Sequence, residues 1–308
     1  MPTTPNLPSN EVSYSQRSFM ETSGVQKDRR IYRRLRRWLL VLTAIGGIPL
    51  ALLTACQSRL LYFPRPYEPG ATAQWSARTK GIPVDFNTSQ GRQREFLQGN
   101  LTAPRNLWIV CGGNGTLSLD WSEWIAQYAP KEDAWLLFDY PGYGACEGSP
   151  SPARIRESLQ TGVPLALEKL GWQHDAKRGK LRFFGHSLGC AAALIAASEF
   201  NIQQGVLISP FTSTMDMSRE VTGLPLGFLV WHRFNNAERL EELSRRGPGQ
   251  VMIFHGLDDE VIPVAMSRRL AAKNKDVVQL IKIPGGRHNT IQDSHAVLVA
   301  DALNKIGQ

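Results

Sequence analysis

Cysteine and histidine are scarce in this chain, which limits the metal and disulfide chemistry that it can perform. Only four of the 308 residues are Cys and six are His. Disulfide frameworks and zinc sites need closely and regularly spaced Cys or His residues. The four cysteines are instead widely separated, and they are Cys56, Cys111, Cys146 and Cys190. We therefore expect neither a disulfide scaffold nor a bound metal ion.

The chain also lacks a large excess of charge outside its first residues. Its formal net charge is +8, but residues 1–37 carry eight Lys or Arg against three Asp or Glu. The rest of the chain carries 27 basic and 24 acidic residues. This near-neutral balance is unlike the basic surface of nucleic-acid-binding domains. We expect no nucleic-acid partner.

Residues 1–37 are predicted to form a basic, disordered tail. Residues 1–28 are rich in Pro, Ser, Thr and Asn and show no apolar periodicity. Such a composition cannot bury enough apolar surface to form a core. Six arginines follow within residues 29–37.

An uncharged apolar run follows the arginines and has nearly the length of a membrane span. Trp38–Ala55 comprises eighteen residues without a charge, and about 20 apolar residues cross a bilayer. Basic flanks of a span stay in the cytoplasm. We therefore expect residues 38–56 to anchor the chain, with the tail in the cytoplasm and the remainder on the non-cytoplasmic side, in the periplasm or outside the cell.

A second interpretation of the same segment is a lipoprotein signal. The run ends in Leu-Thr-Ala-Cys at residues 53–56, which resembles the lipobox of bacterial lipoproteins. That resemblance implies cleavage before Cys56 and lipidation of its thiol. The sequence is compatible with both the lipoprotein and the uncleaved anchor.

Residues 57–80 are predicted to link the anchor to the following domain. They begin with an apolar, aromatic stretch, Leu60-Leu61-Tyr62-Phe63, that ends at a proline. Aromatic and arginine side chains suit the level of the lipid headgroups. The other interpretation is a first strand or a loop that packs on the domain.

Predicted strands alternate with predicted helices beyond residue 80. Short apolar runs predict strands at 82–87, 94–101, 107–111, 135–139, 181–184, 206–209, 250–255 and 277–283. Helical patterns lie between or after them, at 119–128, 151–170, 190–199, 263–273 and 295–306. This alternation is typical of an α/β fold with a mostly parallel, doubly wound sheet.

The sequence Gly-His-Ser-Leu-Gly at residues 185–189 lies where a predicted strand becomes a predicted helix. Glycines on both sides of a serine permit the tight turn of a nucleophile elbow. Ser187 would then project above the sheet edge, with the first amides of the helix close to it. The simpler interpretation is a serine that caps an ordinary helix.

A nucleophilic serine needs a histidine base that is oriented by a carboxylate. Asp258 and Asp259 both follow the strand predicted at 250–255 and are candidates for the acid. His288 follows two glycines and the last predicted strand, and it is the candidate base. The resulting order Ser, Asp, His is that of α/β-hydrolases.

Several motifs together resemble the α/β-hydrolase family, in its small-cap branch similar to serine aminopeptidase-like hydrolases. The pattern His-Gly-x-x-Asp-x-x-x-Pro at residues 255–263 resembles the acid loop of the family, which implies that Asp259 is the acid. Residues 139–148 resemble the family segment D-x-x-G-x-G-x-S-x-G. Pro141 stands where arginine is frequent, and Cys146 stands where serine is usual.

The loop that would bind an oxyanion departs from the family pattern. Gly112 occupies the position where the family has histidine. A glycine-rich loop still lets a backbone amide approach a developing negative charge. The resemblance implies that the two donors are the amides of Asn114 and Leu188, with Gly113 as the alternative if the loop is offset by one residue.

The resemblance covers residues 81–308 and implies a cap inserted at about 211–249. This segment is short and strongly apolar around residues 224–231. The cap is therefore expected to contain one or two helices. Its apolar residues could close a groove for an acyl chain or could pack the cap onto the domain.

The function that the resemblance implies is that of a membrane-anchored serine hydrolase acting on carboxylic esters or thioesters. Ser187 would form an acyl-enzyme, with His288 as the base and Asp259 as its orienting acid, and no cofactor is needed. The substrate would be a small acyl ester or an amphiphilic lipid. Two other functions are a peptidase of the same fold and a non-catalytic envelope binding protein on a hydrolase scaffold.

The orientation of the anchor can be tested by proteolysis. Protease added to intact spheroplasts should digest the domain of the full-length protein, because the arginines hold the tail in the cytoplasm. Protection until the membrane is broken would place the domain in the cytoplasm and refute this orientation. In the same preparation, palmitate labelling that is lost in Cys56→Ala would identify a lipoprotein, and an absence of labelling would identify an uncleaved helix.

Overall fold

The computed structural model describes residues 29, 31–48, 51, 57–172 and 178–308. The predicted tail at 1–28 and the candidate lipidation site Cys56 lie outside the described residues. Residues 31–48 are helical and include a π-helix at Thr43–Gly47. Within the described part of the chain, no helix combines the length and the apolar character that crossing a membrane would need.

Eight strands form a single sheet within residues 57–308. The strands are β1 (Ile82–Thr88), β2 (Gly91–Gly99), β3 (Leu107–Cys111), β4 (Ala134–Phe138), β5 (Leu181–His186), β6 (Gln204–Ile208), β7 (Gln250–Gly256) and β8 (Val278–Ile283). Their order across the sheet is β1-β2-β4-β3-β5-β6-β7-β8. The β1–β2 and β2–β4 pairs are antiparallel. All pairs from β4 to β8 are parallel, so the carboxyl ends of β3 to β8 lie at one edge.

Helices in the described residues 57–172 and 178–308 cover both faces of the sheet. They are α1 (Gln57–Leu61), α2 (Ala71–Thr79), α3 (Ser122–Tyr128), α4 (Pro152–Lys169), α5 (Leu188–Glu199), α6 (Thr214–Thr222), α7 (Asn236–Arg245), α8 (Val264–Lys273), α9 (Ile291–Ser294) and α10 (Ala296–Gly307). Every residue of β3 is buried. Ile109 packs into the core that contains α4 and α5, and its neighbours Trp108 and Val110 pack into the core with α3 and α10. Burial on both faces explains why the central strands are nearly continuous apolar runs.

The predicted fold class is confirmed: the chain has a mostly parallel central sheet with helices on both faces and a small cap. The largest difference from the predicted strands is at β2, which begins three residues earlier than expected. Thr88 pairs with Gly91, so the turn between β1 and β2 consists of two residues. The residues at the start of β2 are polar and show no strand pattern in the sequence. The β1–β2 hairpin lies at the sheet edge, where a strand does not need to be an apolar run.

Residues 57–80, expected as a linker, contribute α1 and α2 to the compact unit that spans Gln57–Gln308. Tyr62 and Trp75 are both buried. The segment therefore packs as helices and loop rather than as a first strand.

The cap lies between β6 and β7 and contains α6 followed by a short 3-10 helix at Leu226–Leu229. Several of its large apolar side chains are exposed, among them Leu224, Phe228 and Trp231. The apolar cap residues therefore do not all serve to pack the cap onto the domain.

The contact between α5 and β3 gives a stability prediction. A Cβ on Gly189 would lie 2.0 Å from the carbonyl oxygen of Cys111 and 2.5 Å from that of Gly112. Gly189→Ala should therefore lower the free energy of unfolding by about 2–3 kcal/mol, because two backbone segments must separate. Gly179→Ala is the matched control, since its Cβ meets nothing within 4 Å. Urea denaturation should show a change of less than about 1 kcal/mol for the control, and equal effects would refute this packing argument.

Candidate active site

Ser187 lies at a strained turn between β5 and α5. Its φ is 54° and its ψ is −119°, a conformation that few non-glycine residues adopt. Its amide donates to the carbonyl oxygen of Ile208 at 2.9 Å. A Cβ on Gly185 would lie 2.7 Å from the carbonyl oxygen of Gly189, so only glycine fits there. The turn thus holds the hydroxyl at the carboxyl edge of the sheet.

The structure brings Ser187, His288 and Asp259 into one hydrogen-bonded line. The Oγ of Ser187 lies 2.9 Å from Nε2 of His288. Nδ1 of His288 lies 3.0 and 2.9 Å from the two carboxylate oxygens of Asp259. Nδ1 therefore carries the proton, since the carboxylate can only accept. This tautomer leaves Nε2 free to accept the proton of the serine hydroxyl.

The structure separates the two candidate acids. Asp258 is exposed, and its backbone amide donates to the carbonyl oxygen of Gly286. The side chain of Asp259 is fully buried and faces His288. The family pattern had pointed to Asp259, and the geometry supports the same choice.

The carboxylate of Asp259 has several hydrogen-bond donors besides His288. The backbone amides of Val261 and Ile262 donate to Oδ1 at 3.0 and 2.8 Å. The hydroxyl of Ser209 donates to Oδ2 at 2.7 Å, and Nε2 of His255 lies 3.3 Å from the same oxygen. Burial by itself raises the pKa of Asp259, but the hydrogen bonds from His255, His288 and Ile262 outweigh burial and lower it. The group therefore remains ionised beside the imidazole.

Ser209 and His255 were not predicted as site residues. Ser209 follows β6 directly, with a φ of 52°. His255 is buried in β7, where its Nε2 also lies 2.8 Å from the carbonyl oxygen of Ile262 and its Nδ1 lies 2.7 Å from the hydroxyl of Ser267. One feature of the sequence could have identified them: both lie at the carboxyl ends of predicted strands that neighbour the acid loop.

His186 supports the loop that carries His288. Its Nε2 lies 3.1 Å from the backbone carbonyl oxygen of His288 and must donate to it. Burial, and to a lesser extent the nearby ring of His288, lowers the pKa of His186 to about 4. His186 is therefore neutral at physiological pH and acts as a hydrogen-bond donor within the protein.

The predicted oxyanion loop lies against the elbow. A Cβ on Gly113 would be 2.9 Å from Nδ1 of His186 and 3.5 Å from Cβ of Ser187, which leaves little room for a side chain. The hydroxyl of Tyr140 donates to the carbonyl oxygen of Gly112 at 2.5 Å. Leu188 is the first residue of the twelve-residue helix α5. Both predicted donor segments therefore border Ser187, and the choice between the amides of Asn114 and Gly113 stays a prediction.

The other candidate chemical groups are not part of this hydrogen-bonded line. Cys111, Cys146 and Cys190 are buried free thiols. In the described ranges, no group of three or more His, Cys, Asp or Glu side chains is placed to hold a metal ion. A cavity of about 600 Å³, bordered by Arg78, Gln98 and Trp135, lies near the amino end of β4, whereas Ser187 lies at the carboxyl edge of the sheet.

Comparison with known proteins gives relatives over most of the chain. No family model matches the sequence. An uncharacterized protein of Mycobacterium tuberculosis is 30% identical over 269 residues, which cover 87% of this chain and 92% of the relative. An uncharacterized membrane protein of Saccharomyces cerevisiae is 27% identical over 280 residues, which cover 86% of this chain and 95% of the relative.

A solved esterase of Pyrococcus furiosus has a similar fold. The two structures superpose with a TM-score of 0.61 at 15% sequence identity, covering 80% of this chain and 96% of the esterase. At this identity the likeness establishes the fold.

The role of Asp259 can be separated from that of its neighbour. Asp259→Asn should lower the turnover of an activated ester by a factor on the order of 10⁴, because the amide group can donate to the imidazole and favour the wrong tautomer, whereas the carboxylate can only accept. Asp258→Asn is the matched control, since that side chain is exposed, and its turnover should stay close to that of the unmodified protein. Steady-state kinetics on both variants would measure the difference, and a reversed pattern would show that Asp258 is the acid.

Proposed function

The chain has the fold of α/β-hydrolases, and on that premise we propose that it is a membrane-anchored serine hydrolase of carboxylic esters or thioesters. The observation that carries the proposal is the hydrogen-bonded line from Ser187 through His288 to Asp259. The fold by itself does not fix the function. A nucleophile, a base and an orienting acid in contact are the parts that acyl transfer requires.

The proposed first step is acylation of Ser187. Its Oγ attacks the acyl carbon while Nε2 of His288 takes the hydroxyl proton. The carbonyl oxygen becomes an oxyanion that accepts hydrogen bonds from the amides of Leu188 and Asn114. The tetrahedral intermediate collapses, the bond to the alcohol or thiol breaks, and His288 returns its proton to that leaving group.

The second step releases the acyl group as a carboxylic acid. Water takes the place of the leaving group and loses a proton to Nε2 of His288 as its oxygen attacks the acyl carbon. The second intermediate collapses, the bond between the acyl carbon and Oγ breaks, and His288 returns its proton to Oγ, which restores the hydroxyl of Ser187. Asp259 stays ionised throughout and stabilises the imidazolium that forms twice in each cycle, which agrees with the lowered pKa of its carboxyl.

Membrane attachment is the second part of the proposal. Its support is the uncharged run Trp38–Ala55 behind six arginines, together with the Saccharomyces cerevisiae relative, whose name describes it as a membrane protein. Large apolar side chains are also exposed on the cap and on the segment after the anchor, among them Phe228, Trp231 and Phe63. Such a surface suits a domain held near lipid on the non-cytoplasmic side, with amphiphilic esters as substrates.

The catalytic assignment predicts selective covalent labelling. A fluorophosphonate probe should label the full-length protein at Ser187, because the base makes this hydroxyl nucleophilic. Labelling should disappear in Ser187→Ala and fall at least about 10³-fold in rate in His288→Ala. His295→Ala is the matched control, because this histidine contacts Ser294 rather than the site, and it should be labelled normally. Undiminished labelling of Ser187→Ala would remove the assignment.

The substrate class is tested on the same preparation. A chain-length series of p-nitrophenyl esters, acyl-CoA thioesters and peptide anilides should be assayed side by side. We expect hydrolysis of the esters or thioesters and none of the anilides. Cleavage of anilides alone would identify a peptidase, and labelling without turnover of any class would leave the ester proposal without support.

A further inference from the structure

The segment that connects the apolar run to the domain lies against both the cap and the predicted oxyanion loop. We call residues 57–67 the strap. Its hydrogen bonds reach backbone atoms and polar side chains that are far away in the sequence. A linker that packed only through apolar side chains would not need such directed hydrogen bonds.

One end of the strap holds the cap. The side-chain amide of Gln57 donates to the carbonyl oxygen of Leu229 and accepts from the amide of Trp231 at 2.8 Å. The hydroxyl of Tyr62, which is buried, lies 3.2 Å from Nδ1 of His232. The strap therefore binds the cap backbone at Leu229 and Trp231 and contacts the side chain of His232.

The other end holds the loop that contains Asn114. The amide of Phe63 donates to Oδ1 of Asn114 at 2.8 Å, and the hydroxyl of Tyr143 lies 3.2 Å from the same oxygen. Nε of Arg65 donates to the carbonyl oxygen of Gly115 at 3.0 Å. Arg65 also forms an ion pair with Asp120. Two neighbouring residues of the loop thus accept hydrogen bonds from the strap.

The strap itself is held in place beyond Arg65. The carbonyl oxygen of Arg65 accepts from the amide of Gly144 at 2.9 Å. The hydroxyl of Tyr67 donates to the buried carboxylate of Asp139 at 2.6 Å. These contacts fix the strap to the segment after β4, so it can act as a rigid support for the loop.

We propose that the strap is a positioning element of the active site, with Phe63 and Arg65 holding the loop so that the amide of Asn114 faces the developing oxyanion. This inference rests on the proposed function. The side chain of Asn114 binds the strap while its backbone amide serves the oxyanion, so the two roles belong to different atoms of one residue. The segment that leads to the proposed membrane anchor is therefore part of the catalytic unit.

The first test removes only the side-chain role of Asn114. Asn114→Ala in the full-length protein keeps the backbone amide but loses the oxygen that accepts from Phe63. For p-nitrophenyl acetate, kcat should fall about 10- to 100-fold because the oxyanion donor is misplaced. KM should change less than about twofold, since the ground-state carbonyl gains little from this donor. Affinity for a phenylboronic acid, which mimics the tetrahedral intermediate, should fall in parallel with kcat.

The second test uses two arginines in similar surface ion pairs. Arg65 pairs with Asp120 and is 51% exposed, and Arg78 pairs with Glu123 and is 59% exposed. Exposed pairs contribute little to stability, so both alanine variants should fold. Arg65→Ala should lower kcat and boronate affinity by at least about fivefold, because Gly115 loses a donor that fixes the loop. Arg78→Ala should leave both unchanged.

The outcomes separate this inference from the proposed function. If Asn114→Ala and Arg65→Ala both match the unmodified protein in kcat and boronate affinity while Ser187→Ala is inactive, the strap has no positioning role and the hydrolase assignment stands. Equal losses in Arg65→Ala and Arg78→Ala would also overturn the inference, because they would reflect a general effect of charge. If Asn114→Ala does not fold, Arg65→Ala decides the question. Inactivity of the unmodified protein towards every ester and thioester would instead contradict the proposed function.

Discussion

The buried carboxylate of Asp259 is the group on which the rest of the site depends. Removing an ionised carboxylate from water costs several kcal/mol unless donors replace the lost hydration. Here the donors come from four places: Ser209 at the end of β6, His255 in β7, the loop after β7, and His288 in the loop after β8. The carboxylate is satisfied only when these strand ends lie in the observed register. The ionised state of Asp259 therefore depends on the same strand register that defines the fold.

A second buried acid shows why the donors of Asp259 matter. Asp139 accepts hydrogen bonds from Tyr67 and from the amide of Ser118, yet burial still raises its pKa to about 6. Burial, together with the nearby charge of Asp139, likewise holds the pKa of Glu95 well above its usual range. Burial alone thus favours the neutral acid in this protein. Asp259 is ionised because its hydrogen bonds lower its pKa by more than burial raises it. The role of Asp139 is different, since it accepts a hydrogen bond from Tyr67 and so holds the strap.

The sequence predicted the parts of the molecule that depend on local pattern. β3 to β7 are short apolar runs because both faces of the sheet are covered, and Ser187 is flanked by glycines because a Cβ would meet backbone on either side. His186 and Ser209 could not be found in this way. His186 contacts a residue 102 positions away and Ser209 one 50 positions away, so their roles arise from the sheet order. Residues 57–67 were ambiguous because aromatic and arginine side chains suit a lipid surface and a protein surface equally.

The strap illustrates how weak interactions can specify geometry. A single hydrogen bond between protein groups contributes only about 1 kcal/mol to stability, so no single bond made by Gln57, Phe63 or Arg65 decides whether the chain folds. Each of them reaches a backbone atom or a short side chain at a defined point of the cap or the loop. Oxyanion stabilisation depends on donors that are already in place before charge develops. Contacts that hold the loop at a defined position are suited to that task. Through them, the segment that follows the proposed anchor also reaches the active site.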